Sequence, residues 1–278
     1  MFLNVHSSYS LKYGTQSIEQ LINTARALGI HQMVLTDINN STGAVEFVRE
    51  CYRQSIAREA DETHKGNIPY KLKPVVGIEF RFQHQLLYVG IARNKEGMRE
   101  LNEFLSYHNI YNIPLPEFPP YFENAYVVYP FQKFFRRQLK ENEFVGIRSK
   151  QLGILYNHPL LLQKDKLVVW HPVTVNNKLG YRLHEYLRAI DLNTLLSKVP
   201  ENQKCEKSEF LIPENELTKQ FEHYPFIVEN TQKLLDNCDL SVYFERETQS
   251  KNKIHYTKTG IDGDKKMLRN LAFAGLKY

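Results

Sequence analysis

Four short apolar runs of the sequence end in side chains that can bind a metal or move a proton. The first delivers Asn4 and His6, the second ends at Asp37, the third at Glu79, and a late run, LVVWHP, ends with His171. Residues two apart on a strand project from one face, so Asn4 and His6 point out of their strand together. Ligands gathered at the carboxyl ends of parallel strands are typical of metal-dependent hydrolases. The pattern is incomplete, because the first of the two paired positions is an amide.

The elements that must position these side chains alternate between strand and helix patterns. Seven runs are predicted to be strands: FLNVH, MVLTD, PVVGIEF, LLYVGIA, AYVVYP, FVGI and LVVWHP. The segment TQSIEQLINTARALG has one apolar stripe, with Thr15 as its predicted N-cap and Gly29 at its end. TGAVEFVRECYRQSIAREA and KEGMRELNEFLSYH are predicted helices as well. The alternation predicts an α/β fold with a parallel sheet or barrel.

The overall composition is that of an ordinary globular protein: 278 residues, 42% hydrophobic and 12% aromatic. A net charge of +5 is compatible with a nucleic-acid partner without demonstrating one. The three cysteines, Cys51, Cys205 and Cys238, have no C-x-x-C spacing, which favours a reducing compartment. No apolar run is long enough to span a membrane and no signal segment opens the chain, so we predict a cytoplasmic protein without a membrane partner.

The pattern changes after Pro200. Helical patterns without strands fill PENELTKQFEHYPFIVENTQKLLDNC, a polar stretch follows, and GDKKMLRNLAFAGLKY begins an amphipathic helix. We therefore predict a barrel domain over residues 1–200 and a helical extension over 201–278. The uncapped last helix further suggests an N-terminal domain taken from a longer chain.

Together these motifs resemble the polymerase and histidinol phosphatase (PHP) domain at the N-terminus of bacterial C-family DNA polymerases, the polymerase III alpha subunits. NVHSSYS is similar to the family's first motif, H-x-H-[ST]-x-[YF]-S, and VLTDINNSTGAVEFVREC to the second, A-L-T-D-H. KPVVGIEF, LLYVGIARNKEGMRELNEFLS and GYRLHEYLRAI are similar to later regions, and YPFIVENTQKLLDNCDLSV and LRNLAFAGLKY to the passage into the polymerase palm. The resemblance is weakest from about residue 108 to 165. It implies a distorted seven-stranded (β/α)7 barrel with a helical C-terminal extension.

The metal site that the resemblance implies is only partly kept. Asn4 stands in the place of the first histidine, and Ile38 in the place of the histidine after Asp37. Pro172 and Thr174 stand in the places of the aspartate and histidine of the fourth motif. Isoleucine and proline side chains offer no lone pair, and asparagine and threonine are poor ligands. The vestigial positions are Asn4, His6, Asp37, Ile38, Glu79, Pro172 and Thr174.

Three of these positions, His6, Asp37 and Glu79, still carry ligand side chains. We expect no catalytic residue and no metal, with one weak divalent cation at these three residues as the alternative. Without a cation, the pKa of one carboxylate would rise unless His6 or an arginine lies within hydrogen-bonding reach, and we predict such a partner. The other histidines that could be recruited are His84, His158, His171 and His184, although a lone helical histidine is usually structural.

The function implied by the resemblance is a non-catalytic structural and partner-docking module in DNA replication. Its implied partners are the rest of the polymerase chain, DNA through that chain, and a proofreading exonuclease. Magnesium would serve the parent polymerase, whether it is the main replicase or an error-prone copy. A metal-dependent phosphoesterase or 3′–5′ exonuclease with a remodelled site is the enzymatic alternative, and a free-standing histidinol-type phosphatase is disfavoured by the polymerase-like tail.

One segment, FFRRQLK, combines aromatic residues with the cations Arg136, Arg137 and Lys140. This composition is typical of nucleic-acid contacts. A solvated helix face is the favoured explanation, because each cation adds only modest, salt-dependent affinity.

Overall fold

The computed structural model of the chain describes residues 1–59, 71–131, 138–240, 256–257 and 259–275. The chain divides into two compact units, residues 1–243 and 244–278. The described part of the second unit contains one long helix, α8 (Gly260–Gly275). The carboxylate of Asp264, near the start of this helix, accepts hydrogen bonds from the backbone amides of Tyr256 and Thr257, which precede the helix.

A seven-stranded sheet runs through the first unit, with the strands in chain order. The strands are β1 (Phe2–Val5), β2 (Gln32–Leu35), β3 (Lys73–Phe82), β4 (Gln85–Ala92), β5 (Ala125–Pro130), β6 (Glu143–Ile147) and β7 (Leu167–Val169). Each apolar run identified in the sequence forms one of them. Beyond β7 the backbone returns to β1, where the His6 amide donates to the Val173 carbonyl at 2.8 Å and the Val173 amide to the Asn4 carbonyl at 2.9 Å. The sheet is therefore curled.

The sheet is mixed, so the predicted parallel sheet is wrong for β4. Strands β1, β2 and β3 are parallel, as are β5, β6 and β7, whereas β4 runs antiparallel to both of its neighbours. The connection between β3 and β4 consists of Gln83 and His84, with φ of 49° and 64°. Two successive left-handed residues form the hairpin turn whose twist suits antiparallel strands. Turns of this kind usually have the sequence Asn-Gly, and Gln-His does not match it. The hairpin could therefore not be predicted from the sequence.

Helices connect most of the strands. They are α1 (Ile18–Ala27), α2 (Thr42–Glu59), α3 (Lys95–Ile110), α4 (Leu152–Leu155), α5 (Lys178–Asp191), α6 (Glu214–Lys219) and α7 (Pro225–Asp236). Helix α1 begins after Ser17 rather than at the predicted cap Thr15. The Ser17 hydroxyl accepts from the Gln20 amide and the Gln20 side chain accepts from the Ser17 amide, and this reciprocal capping box fixes the start. Gly29, with φ of 67°, ends the helix as predicted.

Helix α7 packs on the sheet and completes its core. Leu234, Leu235 and Cys238 share one apolar cluster with residues of β1 to β5 and β7. The Lys73 ammonium donates to the carbonyls of Leu235 and Asp236 at the end of α7, at 2.9 and 3.2 Å. Helices α6 and α7 thus lie in the same compact unit as the sheet, and the domain boundary after residue 200 stays a prediction.

Two further observations concern the surroundings of the chain. Cys51, Cys205 and Cys238 are all buried, and none of the three forms a disulfide. Among the described helices, none combines the length and the apolar character that crossing a membrane requires.

Candidate functional site: a buried polar network at the carboxyl end of the sheet

A cleft of about 650 Å³ opens at the carboxyl ends of the strands. Asn4, His6 and Glu79 line it, together with Arg81 and Pro172. The sequence prediction that the polar strand ends meet at one edge is confirmed for these residues. The reason is that β1 pairs with β2, and β2 with β3, in parallel, which brings equivalent strand ends together.

Glu79 is the centre of the network and is wholly buried. Its Oε2 accepts from Asn4 Nδ2 at 2.6 Å and lies 3.0 Å from His6 Nε2, while its Oε1 accepts from Arg81 Nε. Burial opposes ionisation of this carboxyl group, but Arg81 and His6 outweigh burial and hold its pKa at about 2. Glu79 is therefore a buried anion with its charge compensated by the protein.

Arg81 supplies most of that compensation and was not identified from the sequence. Its guanidinium carbon lies 4.2 Å from the centroid of the Tyr13 ring, so the cation is held between a carboxylate and an aromatic face. Burial alone would lower the pKa of Arg81, but Glu79 and Tyr13 raise it. The available signal was the Glu-x-Arg spacing on a strand, which places both side chains on one face. The strand was expected to end at Phe80, whereas β3 continues to Phe82.

His6 connects Glu79 to a second ion pair. Its Nδ1 lies 3.0 Å from the Thr174 hydroxyl oxygen, and that hydroxyl donates to Glu209 Oε2 at 2.8 Å. Glu209 Oε1 accepts from Arg148 Nη2 at 3.1 Å. Because the single Thr174 proton goes to Glu209, His6 Nδ1 must donate to Thr174, and Nε2 faces the Glu79 carboxylate. Both ring nitrogens of His6 thus face oxygen atoms of the network.

Asp37 serves the loop after β1 rather than the cleft. Its Oδ1 accepts from the Ser7 amide at 2.8 Å and from the Ser10 hydroxyl at 2.6 Å, and its Oδ2 accepts from the Ser7 hydroxyl at 2.8 Å. The predicted partner for the carboxylates is confirmed for Glu79, which has both His6 and Arg81. Asp37 is satisfied by hydroxyls and a backbone amide instead.

The remaining predicted positions lie around this network. The Asn4 side-chain oxygen accepts from the Thr36 hydroxyl at 2.7 Å, which fixes the amide so that its nitrogen faces Glu79. Ile38 is half-buried and packs beside an apolar cluster that includes Tyr13. Lys140 lies on the surface. Arg136 and Arg137 lie outside the described residues, so the nucleic-acid contact stays a prediction.

The other histidines have separate surroundings. His84 lies at the rim of the cleft, half-exposed, and His171 Nε2 bonds the Phe210 carbonyl at 3.0 Å. His158 caps a 3₁₀ segment by accepting from the Leu160 amide.

His184 is structural, as a helical histidine was expected to be. Its Nδ1 lies 2.7 Å from the Tyr13 carbonyl and its Nε2 accepts from the Cys205 amide at 2.9 Å. These partners assign the proton to Nδ1. Burial lowers the pKa of His184 to about 4, so the neutral ring is the stable form.

The oxygen and nitrogen atoms that line the cleft are not arranged to hold a metal cluster. Both oxygens of Glu79 accept hydrogen bonds, and both nitrogens of His6 lie within hydrogen-bond distance of oxygen partners. A divalent cation at Glu79 would have to displace Asn4 or lie beside the Arg81 guanidinium. Within the described ranges, no three His, Cys, Asp or Glu side chains are grouped so that they could hold a metal ion.

Comparisons with known proteins point to one family. The family model described as "PHP domain" matches residues 3–144, about half of the chain. The chain is 25% identical to the DNA polymerase III subunit alpha of Treponema pallidum over 281 residues, covering 86% of this chain and 23% of that protein. The protein of the same name from Borreliella burgdorferi is 26% identical over 272 residues, with 85% and 23% covered. That of Ureaplasma parvum is 35% identical over 105 residues, with 38% and 9% covered. The chain spans less than a quarter of the length of these relatives.

Proposed function

The chain belongs to the PHP domain family, and from this premise we propose that it is a non-catalytic structural and partner-docking module of a DNA polymerase III alpha-like polymerase. The similarity to the N-terminal region of three bacterial alpha subunits supports a role in DNA replication. The partners proposed on that basis are the rest of a polymerase chain, DNA through that chain, and a proofreading exonuclease. Cytoplasmic location belongs to the same proposal.

The finer architecture is part of the proposal. We take the curled sheet and its helices as a distorted (β/α)7 barrel, brought round by the backbone bridge between Val5 and Val173. The residues after 200 would form the helical extension that leads toward a polymerase palm. The magnesium ions of polymerisation would belong to that palm.

The observation that carries the proposal is the ion pair between Arg81 and Glu79. A hydrolase of this type needs free carboxylate and imidazole lone pairs to assemble metal ions around a water molecule. Here the protein supplies its own cation at the carboxylate, and an asparagine amide donates to the same group. Because Asn4 and Arg81 are donors and not ligands, the cleft is built to be stable without a metal.

Two measurements test this proposal. The intact chain is incubated with Mn²⁺ and 5′-labelled single-stranded DNA, and no cleavage above that of Glu79→Gln is expected. Glu123→Gln, a change at an exposed glutamate, is the matched control. Metal-dependent cleavage that disappears in Glu79→Gln and persists in Glu123→Gln would overturn the proposal.

The second measurement needs no variant and so does not depend on whether Glu79→Gln folds. Electron paramagnetic resonance detects free aqueous Mn²⁺, and titration of the chain with this ion is expected to leave the signal at the level of a buffer control. Loss of one or more equivalents of signal at micromolar protein would show a functional metal site and contradict the metal-free interpretation.

A further inference from the structure

Helix α5 turns its apolar side chains toward solvent. Leu179, Leu183, Tyr186 and Ile190 are exposed by 74%, 47%, 55% and 64%. Most amphipathic helices of globular proteins bury this stripe and expose their polar side. In α5 these four large apolar side chains face solvent, while the polar residues His184 and Arg188 are buried on the other side together with Tyr181 and Ala189.

The orientation of α5 is fixed by its buried polar side chains. His184 is hydrogen-bonded through both ring nitrogens. The Arg188 guanidinium donates to the Gln203 carbonyl at 2.8 Å and to Asp191 Oδ2 at 2.6 Å. Rotating the helix to bury its leucines would expose or orphan these satisfied groups. The outward stripe is therefore a stable feature of the surface.

The spacing of the exposed residues is that of a helix-pairing seam. Steps of four, three and four residues place the four side chains in one row along the helix. Two further exposed leucines, Leu195 and Leu196, follow shortly after the helix ends. A contiguous exposed apolar row of this kind marks an interaction site more often than isolated surface residues do.

We propose that the α5 stripe, defined as Leu179, Leu183, Tyr186 and Ile190, docks an amphipathic helix of a partner protein whose apolar row is flanked by acidic side chains. This inference rests on the partner-docking role proposed above and names the surface that performs it. Two helices that dock side by side contact each other through apolar side chains spaced three and four residues apart. The exposed side chains of α5 have this spacing.

The positive side chains beside the α5 stripe favour a partner with acidic side chains. Lys178 and Arg182 are exposed along one edge of it, and within the described residues neither has an ion-pair partner. The nearby Glu185 is already paired with Lys204 at 3.2 Å. The free charge at this edge is therefore positive. A second copy of the chain would bring the same cations to the interface from both sides, whereas acidic side chains would complement them.

The test uses the intact chain and three synthetic helical peptides of about three heptads. The peptides share one apolar row and differ only in their flanking residues, which are Glu, Gln or Lys. By fluorescence anisotropy we expect the acidic peptide to bind most tightly and the basic peptide least. Leu183→Ser should weaken the acidic peptide at least about tenfold, and Arg182→Glu should abolish the preference for it. Leu162→Ser, at a strongly exposed leucine outside α5, is the matched control and should change nothing.

Several results would overturn the inference. They are no binding of the acidic peptide at about 1 mM, equal affinity for all three peptides, or affinity unchanged by Leu183→Ser. Light scattering that shows a dimer, with Leu183→Ser converting it to a monomer, would assign the stripe to a second copy. Binding to anionic phosphatidylglycerol vesicles that Leu183→Ser abolishes would assign it to a membrane surface. Circular dichroism verifies that each variant is folded, and none of these results changes the Mn²⁺ measurements, so the two proposals fail separately.

Discussion

At the scale of single residues, Arg81 determines the chemistry of the cleft. A buried carboxylate needs a compensating charge, which a metal ion or a guanidinium can supply. In this chain the compensating guanidinium belongs to Arg81, two residues from Glu79 on the same strand. The positive charge is therefore always present beside the carboxylate, and no ion has to bind from solution. His6 and Asn4 complete the shell around the same carboxylate.

Removing the guanidinium should therefore be costly. Arg81→Gln leaves Glu79 buried with only His6 and Asn4, and we expect the free energy of unfolding to fall by about 3–5 kcal/mol. The double variant Arg81→Gln/Glu79→Gln should recover part of that loss, because the orphaned charge is gone. Urea unfolding at pH 7 measures both variants. Equal destabilisation by the single and double variants would contradict a charge-compensating role for Arg81.

Two buried groups with lowered pKa values, His184 and Glu79, predict how stability depends on pH. His184 has its pKa lowered to about 4, so the unfolded chain takes up the proton first and stability falls as the pH drops below about 6.5 toward 4. Glu79 has its pKa lowered to about 2, so its contribution is present above about 4.5 and is lost as the pH falls toward 2. Urea unfolding between pH 8 and 3 should show both ranges. His184→Gln should flatten the first range and leave the second, and an unchanged slope between pH 6.5 and 4 would contradict the assignment.

At the scale of elements, the packing of α7 on β7 joins the late helices to the sheet. The short strand β7 has one of its backbone amides, that of Val169, bonded to the Thr231 hydroxyl at 2.8 Å rather than to a neighbouring strand. The same hydroxyl donates to the Ile227 carbonyl at 2.7 Å. One threonine thus holds a helix and a strand together inside the core.

Two threonine-to-valine variants test the contact that Thr231 makes between α7 and β7. Thr231→Val keeps the shape but leaves the Val169 amide without a partner, and we expect a loss of about 1–3 kcal/mol in the free energy of unfolding. Thr218→Val is the matched control, because Thr218 makes the same bond to the carbonyl four residues earlier but lies on the surface of α6. Its effect should stay within about 0.5 kcal/mol. If thermal or urea unfolding shows a similar loss in the free energy of unfolding for both variants, Thr231 does not stabilise the contact between α7 and β7.

At the scale of the whole molecule, the body of the protein is stabilised by its own buried network and by a core buried on both faces of the sheet. A metal that binds only the folded chain stabilises it by an amount that grows with the logarithm of the ratio of the free metal concentration to the Kd. In the cleft described here, the Glu79 carboxylate already has Asn4, His6 and Arg81 as partners. The stability of the chain should therefore not depend on divalent cations.

Thermal unfolding measures that independence directly. We expect the Tm to shift by less than about 1 °C between 1 mM EDTA and 1 mM MnCl₂, a margin well below what a bound ion produces. A site with a Kd of about 10 μM would add about 2.7 kcal/mol at that concentration and raise the Tm by roughly 5–10 °C. A rise of that size, increasing with the logarithm of the Mn²⁺ concentration, would show that the network opens to admit the ion.

Local sequence patterns were enough to predict the elements and part of the site. The seven strands, α1 to α3 and the helices α6 and α7 after Pro200 followed from hydrophobic periodicity, which is a local property. The meeting of Asn4, His6 and Glu79 followed from their position at strand ends, and the need for a partner at Glu79 followed from electrostatics. The contacts of the folded chain were needed to identify Arg81 as that partner and to assign Asp37 to the loop after β1. It alone showed the reversal of β4 and the outward apolar row of α5. These depend on where a strand stops, how a two-residue turn bends, and which side of a helix finds buried partners for its polar groups. Such questions are settled by contacts between residues far apart in the chain, which no local pattern records.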